Sequence, residues 1–206
     1  MFSFRKSLKT FAKGQLWFLL MVLILLSNVT YWQDPYLAWT LIVLFIQPAI
    51  FVLAFIDGFR TKKSVEIEPE ERGDVFTFKG FLKSLWLLAP VLIFMTVAFW
   101  YADRDGGIPF PTGILLGYLI VNGLYNFISL FVPSYVVLFY VANVYDEGKT
   151  AWSEGFRYTM LYFWSLNAEI QNLLSRFPFY IQRPITLLLC IWYITAFASI
   201  ITLFGS

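Results

Sequence analysis

The chain has 206 residues, 59% of them hydrophobic and 14% charged, with a net charge of +2. A soluble domain carries about 25% charged residues, so this composition excludes an ordinary globular domain and reads as one membrane domain. The near-neutral balance points to no nucleic-acid partner. The absence of histidine removes the commonest general base and metal ligand, so no catalytic, cofactor or metal site is expected.

Four basic residues, Arg5, Lys6, Lys9 and Lys13, precede the first apolar run. A cleavable signal peptide would look similar, but its apolar core spans about 7–15 residues and ends at small residues. The run here is longer and lacks such a site, so residues 15–32 are expected to span. The turn YWQDPY follows, with Asp34-Pro35 as initiator and Tyr31, Trp32, Tyr36 and Trp39 at the level of an interfacial aromatic belt. Residues 36–59 form the second expected span, a hairpin partner of the first. Gln47 sits beside Pro48 near its centre. It reads as a hydrogen-bonding partner of a neighbouring helix or of backbone loosened by the proline, with a substrate contact as the alternative. Asp57 is expected to pair with Arg60.

Residues 60–80 form the main hydrophilic loop. Arg60, Lys62 and Lys63 suit an interface with anionic lipid, and Glu66, Glu68, Glu70 and Glu71 read as a solvated run or as a dock for a basic partner. The third span is expected over residues 81–101, with Lys83 snorkelling at one end and Trp100 and Tyr101 at the other. Asp103 and Asp105 in the next loop are too few for a calcium cage.

The apolar run over residues 112–144 would measure about 50 Å as one helix, against a hydrocarbon core of about 30 Å. It must tilt, break or project. Pro133 is the expected break, because it lacks an amide hydrogen and clashes with the carbonyl four residues back. Two readings stand, a kinked overlong helix and a functional break beside a cavity. Gly113, Gly117 and Gly123 offer close-packing positions. Asn122 and Asn126 share a face, as interhelical hydrogen bonders or as the lining of a small pathway.

Residues 151–177 have an amphipathic pattern. Trp152, Phe156, Met160, Phe163, Leu166, Ile170, Leu173, Leu174 and Phe177 fall on one side. Ser153, Glu154, Arg157, Ser165, Glu169, Gln171, Asn172, Ser175 and Arg176 fall on the other, with Leu161 and Trp164 as exceptions. A charge in hydrocarbon costs a few kcal/mol, so this segment is expected to lie at the interface or against protein. The last span is expected over residues 184–205, where Cys190 is a lone core residue.

These elements describe an all-α polytopic helical bundle with five transmembrane helices and one amphipathic helix. With the N-terminus cytoplasmic, every basic residue except Arg104 falls inside, a strong positive-inside pattern. A bacterial inner membrane is the expected location, with a eukaryotic endomembrane as the alternative.

The junction PSYVVLFYVANVYDEGKTAWSEGFRYTM, residues 133–160, resembles a region of multi-pass bacterial membrane families. These are similar to the membrane domain attached to some glycerophosphodiester phosphodiesterases. The resemblance rests on the acidic-glycine turn Asp146, Glu147, Gly148, on Trp152 and Arg157, and on Thr159 at a position where a serine is common. It implies a bacterial inner-membrane protein of non-enzymatic type, and no catalytic residue carries over.

Three functions are open. The first is a non-enzymatic accessory or scaffold subunit of an envelope complex, with membrane lipids and protein as partners. The second is a small transporter or channel built on the broken fourth helix, Gln47, Asn122 and Asn126. The third is an interfacial lipid-acting enzyme using Glu154, Arg157, Glu169 and Arg176.

Overall fold

The computed structural model describes residues 2–59, 78–101, 107–145 and 150–204. Among them the chain forms α1 (Phe4–Leu26), α2 (Pro35–Gly58), α3 (Phe78–Tyr101), α4 (Thr112–Phe131), α5 (Pro133–Tyr145), α6 (Ala151–Phe163), α7 (Ser165–Leu174) and α8 (Phe179–Phe204), with a short 3-10 turn at Val29–Tyr31. The expected basic and acidic runs at 60–77, the Asp103/Asp105 loop and the acidic turn at 146–149 lie outside the described residues, as do the side chains of Lys83, Trp100 and Tyr101.

Three helices, Phe4–Leu26, Thr112–Phe131 and Phe179–Phe204, are long and apolar enough to cross a membrane. They mark the chain as a membrane protein. Shorter apolar stretches, Ile42–Gly58 and Ser84–Phe99, lie within α2 and α3. The last apolar helix begins earlier than expected, at Phe179, so Pro184 lies inside it rather than at its start.

Four helices form the core, and each neighbour runs antiparallel to the next. Gly14 of α1 faces Ile50 of α2, and Ser3 N–H donates to the Gly58 carbonyl at 2.7 Å. The far end of α2 meets the far end of α8, where Gln33 N–H donates to the Leu203 carbonyl at 2.9 Å; near the opposite end Ile56 packs with Leu189. On α4, Gly123 lies against Tyr193 of α8. α1 closes the ring onto α4 through the stacked rings of Trp17 and Tyr118 and a buried bond from Asn28 Nδ2 to Thr112 Oγ1 at 2.9 Å. Leu25, Ile42, Leu116, Ile200 and Leu203 fill the centre. Helix α3 sits outside this ring beside α4, with Phe99 and Met95 over the small surfaces of Gly113 and Gly117, the close approach that small residues permit between membrane helices.

The long run at 112–144 is not one helix. α4 ends at Phe131, Val132 adopts φ −133° and ψ 73°, and α5 starts at Pro133. Proline suits a helix start because its missing amide has no partner there anyway. In a straight helix Tyr125 and Phe139 would lie about 21 Å apart, yet their ring centroids are 6.3 Å apart. The chain therefore folds back, and α4 alone matches the thickness of a bilayer core.

The amphipathic segment is likewise two helices. Thr150 and Ser153 form a capping box that starts α6, a feature worth about 1 kcal/mol. Trp164, at φ −113° and ψ −12°, separates α6 from α7. α6 packs on α3, with Trp152 edge-on to Trp86 at 5.0 Å and Gly155 against Leu87. α7 turns into the bundle. The single-helix reading of the faces is corrected at both ends. Trp152, expected on the apolar side, is 64% exposed, whereas Gln171, expected on the polar side, is fully buried. The break at Trp164 resets the helical phase, so one angular plot cannot describe both halves. It also explains the Trp164 exception, since its ring meets Tyr125 edge-on at 5.2 Å.

Candidate functional site: a polar seam between α4, α7 and α8

The two asparagines of α4 face the C-terminal third of the chain. Asn122 and Asn126 lie one turn apart and have no exposed surface. Asn122 Nδ2 donates to the carbonyls of Tyr118 at 2.9 Å and Phe163 at 2.5 Å. Asn126 Nδ2 donates to the Thr186 carbonyl at 3.1 Å and to Cys190 Sγ at 3.1 Å, and its Oδ1 accepts from Gln171 Nε2 at 2.9 Å. Phe163 meets Asn122 and Gln171 meets Asn126, so α7 leaves the break at Trp164 running in the same direction as α4. Asn167 and Gln171 are four apart, as Asn122 and Asn126 are, and each pair presents one face.

Pro133 produces a second polar feature. In a continuous helix the amide at position 133 would donate to the Ser129 carbonyl. Proline cannot, and Tyr135 N–H donates to Val132 rather than to Phe131. Arg183 of α8 takes both orphaned carbonyls, donating to Phe131 O at 2.8 Å and Ser129 O at 3.4 Å. Its guanidinium also lies 4.7 Å from the Phe179 ring centroid. The position of Arg183 beside Pro184 gave no hint of this role, because the partner is backbone of another helix.

The remaining candidates are distributed. Gln47 exchanges amide hydrogen bonds with Gln15 of α1 at 2.7 and 3.3 Å. Glu154 and Arg157, one turn apart on α6, approach at 4.0 Å. Glu169 is 68% exposed on its side chain and lies 3.9 Å from Lys13, a screened contact of little energetic weight. Arg176, just past α7, pairs with Asp57 at 3.2 Å, and Thr10 Oγ1 donates to the other Asp57 oxygen at 2.6 Å. This partner lies 119 residues away, because the end of α7 is carried to the end of α2; the expected local partner, Arg60, lies outside the described residues. Asp57 and Arg176 are each about one-fifth exposed. Replacing Arg176 with leucine is expected to cost about 2 kcal/mol, read as a lower melting temperature in detergent.

The candidates therefore do not converge on one centre. Asn122 and Asn126 come together with Asn167, Gln171 and Thr186, three residues that sequence reasoning did not single out as site residues. The matching four-residue spacing of the two amide pairs was the available signal. A shallow aromatic cleft lies beside the seam, lined by Tyr125, Phe139, Tyr140, Met160 and Trp164 among others, and it encloses no space for a small molecule. Among the described residues no group of three or more Cys, Asp or Glu side chains is placed to hold a metal ion. Comparison with protein-family models, curated proteins and solved structures finds no match to this chain.

Proposed function

We propose that the chain is a non-enzymatic accessory or scaffold subunit of a bacterial envelope complex, crossing the inner membrane five times with its N-terminus cytoplasmic. The observation that carries this reading is the use made of the intramembrane polar side chains. Gln15 with Gln47, Asn28 with Thr112 and Asn126 with Gln171 each tie one helix to another. Polar groups in such pairs specify helix association. The apolar exterior is wide, with Leu19, Leu44, Phe94, Leu124, Leu188 and Ile194 all exposed, and it serves lipid and partner helices alike.

The five-span topology is supported by the antiparallel order of neighbours and by the basic residues gathered at one end. Arg5, Lys9 and Lys13 lie at the same end as Arg176 and Arg183, as the positive-inside pattern requires. A cysteine at Ser206 is expected to react with a membrane-impermeant maleimide from outside the cell, and one at Ser3 only after permeabilisation; the reverse pattern inverts the topology. Cys190 is buried and gives little background.

Mild extraction at native expression level, followed by mass spectrometry of retained proteins, tests the function. A stoichiometric partner is expected. A monomer that never retains a partner would sink the accessory reading. The second reading, a small transporter, draws on the break between α4 and α5, a feature shared with discontinuous helices at transport sites. Loss of flux in Asn122→Leu/Asn126→Leu, at unchanged protein level, would favour it.

A further inference from the structure

Neutral polar groups gather where α4 meets α7, and their hydrogen bonds use only part of what they offer. Each amide side chain has two N–H donors and an oxygen with two lone pairs. Asn122, Asn126 and Gln171 donate into the protein. Asn122 Oδ1, Gln171 Oε1 and both amide atoms of Asn167 are buried with no hydrogen-bond partner among the described residues. The hydroxyl of Tyr118, one turn before Asn122, is in the same position.

These atoms lie along one strip. Asn167 lies one turn before Gln171 within α7, and Asn122 one turn before Asn126 within α4. Because Gln171 holds Asn126 and the two helices run the same way, Asn167 lies on the face of α7 that meets α4, level with Asn122. Asn167 has no exposed surface, so bulk solvent does not reach it. Unsatisfied amides are disfavoured in a protein interior and more so in a membrane.

The donor and acceptor balance defines the guest. The strip offers three acceptor oxygens, on Asn122, Asn167 and Gln171, together with donors on Asn167 and Tyr118. None of its members is charged, and the carboxylate nearest Tyr118, Glu169 of α7, is solvent-exposed and faces Lys13. A metal ion uses acceptors alone and leaves the donors stranded. A guest that donates and accepts at once fits, and the smallest is water, which in protein interiors takes 2–4 polar partners. We propose that the strip between α4 and α7 is a binding site for ordered water, through which Asn122, Asn167 and Gln171 are joined. The site goes beyond the accessory-subunit reading and does not depend on it.

Water-edited solid-state NMR of the full chain in lipid bilayers tests this, with the protein uniformly labelled with 15N. Asn167 Nδ2 is expected to gain magnetisation from water several-fold faster than the backbone amides of Leu116 and Ile200, both fully buried. Equal rates would overturn the site. Asn167→Leu removes the signal and so assigns it. Leucine also displaces the water and strands the oxygens of Asn122 and Gln171, so the melting temperature is expected to fall. A dry strip predicts the opposite, because an unpartnered amide has been removed. Asn167→Ser is the milder variant: its hydroxyl and smaller volume retain water, and transfer to Asn122 Nδ2 stays fast. Slow transfer there would equally count against the proposal.

Discussion

Asn126→Leu is expected to lower stability by about 3 kcal/mol, the largest loss of any single amide in the bundle. Asn126 joins three elements. Its amide donates to the Thr186 carbonyl and Cys190 Sγ on α8, and its oxygen accepts from Gln171 on α7. Leucine leaves the Gln171 donor buried without its acceptor, in a side chain with no exposed surface. The Thr186 carbonyl loses a donor in the same place. Gln171→Leu alone strands the Asn126 oxygen. In the double variant neither stranded partner remains, so the loss should fall short of the sum by about 1–2 kcal/mol, as expected for residues in contact. Denaturant or thermal unfolding of the four proteins in one detergent measures this. Strict additivity would mean that the bond between Asn126 and Gln171 contributes nothing to holding α7 on α4.

Much of the helical architecture is legible in the sequence because it depends on local composition. Apolar runs with basic flanks mark the helices, Gly113 and Gly117 mark the seat of α3, and Pro133 marks the end of α4. The helical hairpin of α1 and α2 follows from the short turn at Asp34-Pro35. What the sequence hides is direction after each break. Proline predicts where a helix stops and says nothing about where the next one goes, so the return of α5 beside Tyr125 is not visible. The division of residues 151–177 is hidden for another reason. Trp164 has no breaking tendency of its own, and only the docking of its ring on Tyr125 accompanies the change of phase. Of the candidate site, Asn122 and Asn126 were visible by spacing. Gln171 reads as part of the polar side of one amphipathic helix and Asn167 falls on neither side, since the burial of both follows from the way α7 docks on α4. The partner that Asp57 finds in Arg176 is beyond any local rule, since it lies 119 residues away.

Arg183→Leu is expected to be the second large loss, about 2–3 kcal/mol, and its dependence on Pro133 makes it the more diagnostic. The two carbonyls that Arg183 caps are orphaned by the break itself, Ser129 O by the missing amide of Pro133 and Phe131 O by the change of direction at Val132. A guanidinium suits the task because it presents several donors in a fixed fork. Leucine conserves the apolar stem but leaves both carbonyls to solvent or lipid. Pro133→Ala restores an amide at position 133 and removes the ring that keeps Val132 out of the helical region, so the helix can continue and Ser129 O gains a donor within it. The loss from Arg183→Leu should therefore shrink in the Pro133→Ala background, by about 1 kcal/mol for the bond that no longer needs the arginine. Lysine at 183 should rescue only in part, since its compact ammonium reaches as a point charge rather than a fork. If Arg183→Leu cost the same with and without Pro133, the arginine would be acting through its contact with Phe179 and not by capping the broken helix. The outcome also bears on how the bundle is held, because Arg183 on α8 is the polar link between the end of α4 and the start of the last membrane helix.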